Sequence, residues 1–324
     1  MRRAGNRLRI TAQLVEGVSR AHLWAQNFDG TVEDIFDVQD RITENVAIVV
    51  EPHIRTAEIE RSRQERPRSM AAYDLYLQAV PKLFAESAED HADADALLSE
   101  ALALEPNNAT FLANAVWALS HRIAMGWTPI GSDDEKKCLA LARRGLQHAA
   151  GNAHAMAHCG IVLLLIAREY DLGMAAVQSA AEANPNSLMV VVIAGIANIH
   201  CGNIEDALAY FQRAIRLSPR DPGAHISLTG IAHVEMILGN YSEALAWATR
   251  SLALNAQYDP TYWMLIAANA QLGRADEARR WLARFRALAP GITIARIKAG
   301  QPAYDPARTA AILEGLRLAG LDEG

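Results

Sequence analysis

His154 and His158 stand four residues apart with Cys159 directly after, so on a helix the two imidazoles share one face, as a zinc pair requires. A closed site would need further ligands from neighbouring helices, and nothing in the spacing aims Cys201 toward them. His158 is therefore read as a groove-lining residue, and no metal is expected. Other chemistry fails on spacing. There is no Ser/His/Asp order, HExxH helix or phosphate-binding loop, and the glycines between 126 and 131 lack the lysine and following hydroxyl of a nucleotide loop. The paired acids Glu205-Asp206 and Asp276-Glu277 fall in first turns of helices, where they complement the helix dipole, and Asp133-Asp134 reads as a helix start. No catalytic residue and no cofactor is assigned; the expectation is a protein that binds and does not catalyse.

The elements that would carry these residues repeat. Six stretches fall on one helix-turn-helix template: Ala94…Ala101…Pro106, Leu139…Leu146…Gly151, Tyr170…Ala180…Pro185, Gly195…Ala207…Pro219, Gly239…Ala244…Ser251 and Gly273…Ala278…Pro290. Pro185 and Pro219 are 34 residues apart, as are Gly239 and Gly273, which is the tetratricopeptide (TPR) period. Gly195 and Ala207 are small where two antiparallel helices approach, Gly202 suits the left-handed end of a first helix, and Pro219 stops a second. Pro106 to Gly151 spans 45 residues, eleven beyond the period, so a loop is expected inside the second unit near Met125 to Asp134. One hairpin cannot bury its own apolar face, so the units must stack into a mainly α superhelix with a concave surface.

Register places positions 2, 5, 9 and 12 of the first helices on that surface. They give His158, Val162 and Leu165; Met189, Val192, Ile196 and Ile199; Ile226, Thr229, His233 and Met236; and Trp263 with Ala267. Such an apolar lining suits an amphipathic helix or an extended apolar peptide from a protein partner, with Trp263 and Met236 as anchors. The alternative is self-occupation by residues 304 to 319. Ile312, Leu313, Leu316 and Leu318 form an apolar stripe expected to cap the last repeat, and residues 291 to 303 are expected to be irregular.

Composition bounds the partners. At 51% apolar and 21% charged residues the chain has a globular balance, and a net charge of −6 argues against a general grip on nucleic acid. No apolar run is long enough to span a bilayer and no signal peptide is read at the start, so no membrane partner and a cytoplasmic location are expected. Cys138, Cys159 and Cys201 form no CxxC pair and are expected as free thiols.

Residues 1 to 66 follow another pattern. Leu8, Ile10, Ala12 and Leu14 alternate with polar residues, and with His22 to Phe28 they predict a β-hairpin over 7–28. A long helix is expected over 31–65, opened by Thr31 and Asp34 and kinked at Pro52. The divisions are a small partial α/β element over 1–66, a superhelix over 67–290 and a terminal segment with its capping helix over 291–324. Because a two-stranded sheet with one helix is too little to stand alone, the strand from Leu8 to Leu14 is expected to expose an unpaired edge, and the chain to dimerise through it or be poorly ordered there.

The runs Ala4-Gly-Asn-Arg-Leu-Arg-Ile-Thr-Ala-Gln-Leu-Val, Ala21-His-Leu-Trp-Ala-Gln-Asn-Phe-Asp-Gly and Asp34-Ile-Phe-Asp-Val-Gln-Asp-Arg-Ile-Thr resemble the end of the TolB-like domain that precedes TPR repeats in bacterial class III adenylate/guanylate cyclases and some winged-helix transcriptional regulators. Ala71-Ala-Tyr-Asp-Leu-Tyr-Leu resembles that family's entry into the repeats, and Leu313-Glu-Gly-Leu-Arg-Leu-Ala-Gly-Leu its carboxyl-terminal helix. The cyclase's paired metal-binding aspartates have no counterpart here, so the resemblance carries over no catalytic residue. It implies a regulatory part, with catalysis only where an upstream domain supplies it. Three functions stand in order: a non-catalytic interaction scaffold, the regulatory half of a cyclase in cAMP signalling, and the regulatory half of a winged-helix regulator.

Overall fold

The computed structural model describes residues 2–4, 7–15, 22–31, 42, 72–218, 223–301 and 304–324. Residues 1–67 and 68–324 form separate compact units. In the first, β1 (Arg2–Ala4), β2 (Arg7–Val15) and β3 (His22–Thr31) make an antiparallel sheet in that order. Ile10 lies opposite Phe28 and Ala12 opposite Gln26, and Phe28 is buried, consistent with the alternation of apolar residues. The sequence did not suggest β1, which pairs with β2 only over Arg7 to Arg9. Thr31 was expected to open a helix but pairs with Arg7 at the end of β3, because the strand runs three residues beyond Phe28. The rest of the predicted helix over 31–65, apart from Ile42, lies outside the described residues, as does the Pro52 kink.

The second unit is six helical hairpins followed by two further helices. The hairpins are α1 (Ala72–Phe84) with α2 (Ala88–Leu104), α3 (Ala109–Met125) with α4 (Asp134–Gln147), and α5 (Ala153–Leu165) with α6 (Tyr170–Ala183). Then follow α7 (Leu188–Cys201) with α8 (Ile204–Leu217), α9 (Ala224–Ile237) with α10 (Tyr241–Leu254), and α11 (Asp259–Gln271) with α12 (Ala275–Leu288). Gly202 ends α7 at φ 83°, a left-handed turn that a Cβ would strain. Phe211 of α8 is fully buried between two glycines, since a Cβ on Gly195 or Gly230 would come within 2.7 or 2.4 Å of its ring. That is how the fourth hairpin locks onto the fifth.

First and second helices differ in pattern. The second helices α8 and α12 bury one stripe, Ala207, Phe211 and Ala214 in one and Ala278, Leu282 and Phe285 in the other, and turn charges to solvent. The first helices α7 and α11 are apolar on nearly every side and buried along most of their length. Such a helix needs cover on its concave side as well.

Helices α13 (Ile294–Gly300) and α14 (Ala307–Ala319) supply that cover. The stretch expected to be irregular is thus partly helical: Thr293 caps α13 through Oγ1 to the Arg296 amide, and the amides of Ile294 and Ala295 donate to the carbonyls of Asp322 and Glu323. Ile294, Ile297, Ile312 and Leu316 are buried, each worth about 1.5–3 kcal/mol. Gly315 presses on Ala267, a concave-facing position of α11, and Gly300 lies against the carbonyls of Ile123 and Ala124 at the end of α3. The terminal segment therefore lies across the concave face as a roof. It does not simply add one more layer after the last repeat.

The expected insertion lies between α3 and α4. Asp134 holds it by accepting the amides of Ile130 at 2.8 Å and Gly131 at 2.9 Å, while Trp127 donates from Nε1 to Asp259 Oδ2 at 3.0 Å. A loop of the second hairpin is thereby tied to the sixth.

Candidate functional site

Between the first helices and the roof lies a cavity of about 260 Å³. Of the twelve residues assigned to the groove, His158, Val162, Leu165, Met189, Val192, Ile196, Ile199, Ile226, Thr229, His233 and Trp263 line it. Met236, one of the two expected anchors, does not: it is 1% exposed and packed in the core of the last two hairpins. Thr229 turns its hydroxyl into the fold, 2.8 Å from both Ser251 Oγ and Thr261 Oγ1.

The roof is tied down by polar contacts to backbone. His233 donates from Nε2 to the Arg308 carbonyl at 2.9 Å, Gln271 donates to the Ala311 carbonyl at 3.1 Å, and Gln301 donates to the Ala124 carbonyl at 2.9 Å. The Tyr304 amide donates to the His200 carbonyl at 3.1 Å. Burial, with the Arg308 charge beside it, pushes the His233 imidazole down to about 3, so it is neutral at pH 7.

Arg308 comes from this roof and was not among the residues picked from sequence. It is 2% exposed and lines the cavity, yet Nη2 donates only to Gln301, at 3.0 Å to the carbonyl and 3.4 Å to Oε1. Its Nε has no partner. Three other lining residues carry a buried nitrogen without a hydrogen-bond partner: Trp263 Nε1 and His158 Nε2, each residue 4% exposed, and His121 Nε2, which lies 2.7 Å from Glu86 Oε2. Burial holds His158 well below the usual imidazole range, and the ring stacks on Trp117 with centroids 5.2 Å apart. His154 stands edge-on to His158 at 4.4 Å, but among the described residues no third ligand joins them.

A second buried set draws on four hairpins. Glu86, in the turn between α1 and α2 at φ 57°, places Oε2 2.7 Å from His121 Nε2 and Oε1 3.8 Å from His225 Nε2. Burial alone pushes the Glu86 carboxyl up, but His121 and then His225 outweigh it and hold it well below the usual range. Tyr258 packs edge-on to His225, and Asp259, pushed up to about 6 by burial, accepts from Trp127. Glu86, His91 and His121 are the one trio of metal-ligand type that converges among the described residues. Both ring nitrogens of His91 already face carbonyls, those of Ala118 at 3.2 Å and Leu83 at 3.1 Å, which leaves no free lone pair directed at an ion. We read the set as a buried polar lock between repeats.

The three cysteines are free thiols. Burial raises Cys159 to about 12 and Cys138 further, which removes both as nucleophiles.

Tetratricopeptide-repeat families match residues 162–222 and 198–268, from α5 through α11. In the solved structures, the IFIT1 monomeric mutant with Gppp-AAAA aligns with a TM-score of 0.58 at 11% identity, over 81% of this chain and 62% of that one. The fold is a tetratricopeptide-repeat solenoid. The APC/C hetero-tetramer Cut9–Hcn1 aligns with a TM-score of 0.51 at 12% identity, over 71% of this chain and 46% of that chain. At such identities the likeness establishes the solenoid alone. Among curated proteins, "Putative adenylate cyclase 3" of Rhizobium meliloti (strain 1021) is 31% identical over 147 residues, 45% of this chain. The match spans a quarter of that relative's length. Among the described residues no helix is long and apolar enough to cross a membrane.

Proposed function

We propose that the solenoid is a non-catalytic interaction module that receives an apolar protein segment on its concave face, between the first helices of the third to sixth hairpins and the terminal roof. The observation that carries this reading is the roof itself: the face already takes a helix of this chain and grips its backbone through His233 and Gln271. A surface that holds one helix by apolar burial plus carbonyl capture has the chemistry to hold another. Photocrosslinking tests it in cells, from a crosslinker at Met189 or Ile196, both half-buried in the cavity wall, with exposed Leu172 of α6 as control. The reading expects both cavity positions to capture the same segment of another protein, and Ile196→Lys to abolish that capture. Crosslinks confined to residues 294–319 of the chain itself would defeat it.

The second reading is the regulatory part of a larger adenylate or guanylate cyclase, and the identity to the Rhizobium protein favours it. The resemblance of the strand sequences to a TolB-like element supports it and extends it to winged-helix regulators. An immunoblot of the source organism against the repeats separates these cases. A band near 35 kDa favours the free-standing module, and a much larger one favours the regulatory part.

A further inference from the structure

The cavity under the roof has an apolar wall, made by Leu165, Met189, Val192, Ile196 and Ile199, and a polar inventory that does not close on itself. Arg308 is buried with its charge; the Asp305 carboxylate favours that charge from a distance but forms no salt bridge with it among the described residues, and its hydrogen-bond acceptors are the two oxygens of Gln301. Nε of Arg308 and Nε1 of Trp263 are donors with nothing to donate to, and His158 Nε2 can act as either. Buried polar atoms are paired in nearly all native structures, and each exception needs its reason. Four such nitrogens belong to residues of this cavity's lining; His121 Nε2 lies against Glu86, and of the remaining three, two only donate. The missing partner is an acceptor, and beside an unpaired guanidinium the fitting acceptor is an anion.

We propose that this cavity binds a small amphipathic carboxylate, an aliphatic monoacid whose head pairs with Arg308 and whose body lies along Val192, Ile196 and Ile199. A carboxylate oxygen accepts strongly from a charged guanidinium, and the unpaired Nε supplies one N–H for it, a contact that an alcohol would make more weakly and an ammonium could not accept. The volume, about 260 Å³, suits a small molecule. The lining reaches the exposed residues Arg168, Lys298 and Glu135, so the cavity opens to solvent where two cations outnumber one acid. Burial draws Arg308 down to about 9, which leaves it charged at pH 7. This site does not depend on a protein partner, and the purified chain alone tests it.

The probes are octanoate and decanoate, with 1-octanol and octylamine as matched controls, titrated calorimetrically into the purified chain at pH 7. Octanoate should bind and raise the melting temperature, decanoate should bind more tightly, octanol should bind about tenfold more weakly than octanoate, and octylamine should not bind. Arg308→Gln should lose the preference for acid over alcohol, and Arg308→Lys should restore part of it. Should Arg308→Gln fail to fold, Ile196→Phe keeps the charge, fills the chamber and should abolish binding of both acids. The proposal is overturned if neither acid binds the folded wild-type chain at millimolar concentration, or if octanol binds as tightly as octanoate.

Discussion

At the turn between α1 and α2, Glu86 meets His121 and His225; in the roof, Arg308 meets only the oxygens of Gln301. Both side chains are 2% exposed, and both carry charge into the same solenoid. The Glu86 carboxylate is met by imidazoles from α3 and α9, so the contact ties distant repeats together. Arg308 has only Asp305 at longer range and forms no salt bridge among the described residues, so its guanidinium stays without a contacting carboxylate. A buried charge that is answered from within fixes structure, and one that is not answered marks a place for something else.

Acid should strain both regions and gives the largest effect. The imidazoles of His91, His158 and His233 are held below their ordinary range, His91 to about 4 and His233 to about 3. In each case burial is the leading cause. At these three sites the unfolded chain therefore binds more protons than the folded one between those values and about 6.5; Asp259, raised to about 6, works against one of them below that pH, and the net is a stability that falls as pH falls through the window. The slope approaches about 1.4 kcal/mol per pH unit for each histidine. Melting curves from pH 7 to 4.5 should show a steepening loss below pH 6.5; a flat melting temperature down to pH 5 would contradict the neutral, buried assignment.

Substitution separates the two regions. Glu86→Ala leaves two imidazoles without their carboxylate and should cost about 3–5 kcal/mol in urea denaturation. A loss below about 1 kcal/mol would mean that the cluster does not lock the repeats. Arg308→Met removes an uncompensated charge together with its bonds to Gln301, and the two effects should nearly cancel, within about 1 kcal/mol. If Arg308→Met proved as damaging as Glu86→Ala, the contrast would collapse and Arg308 would be a structural residue.

The smallest test concerns the sheet. Beyond Arg9, β2 has no described strand partner on its β1 side. If that edge self-associates, light scattering should show a weak dimer that a proline at Thr11 removes. A monomer at high concentration would discard it.

The hairpins were legible because their signals are local: glycines at a 34-residue period, proline stops and small residues at fixed offsets. Gly202, Gly239 and Gly273 all adopt the positive φ that the template requires. The surplus before Gly151 marked the loop between α3 and α4, though not that its Trp127 would reach Asp259. The roof was only half legible. Residues 304 to 319 were one of two candidate occupants of the groove, while α13 was missed because its seven residues make only about two turns and the partners of this segment, such as Ala124 for Gln301, lie far away in sequence. A signal did exist, since α7 is apolar on its concave side too and an open groove would leave Val192, Ile196 and Ile199 in water. Arg308 was readable in the same way, as a charge on the buried stripe with Ile312, Gly315, Leu316 and Ala319. The Glu86 set was not, because its members come from different hairpins and share no spacing.

The chamber exists only while the roof is part of the folded solenoid, since without it the concave face is an open groove. Hydrogen exchange of the intact chain measures this directly. Amides of Ile297, Ile312 and Leu316 should be protected to the same degree as those of α9 and α11. Rapid exchange throughout residues 294–319 while α9 and α11 stay protected would show an open face and contradict the account.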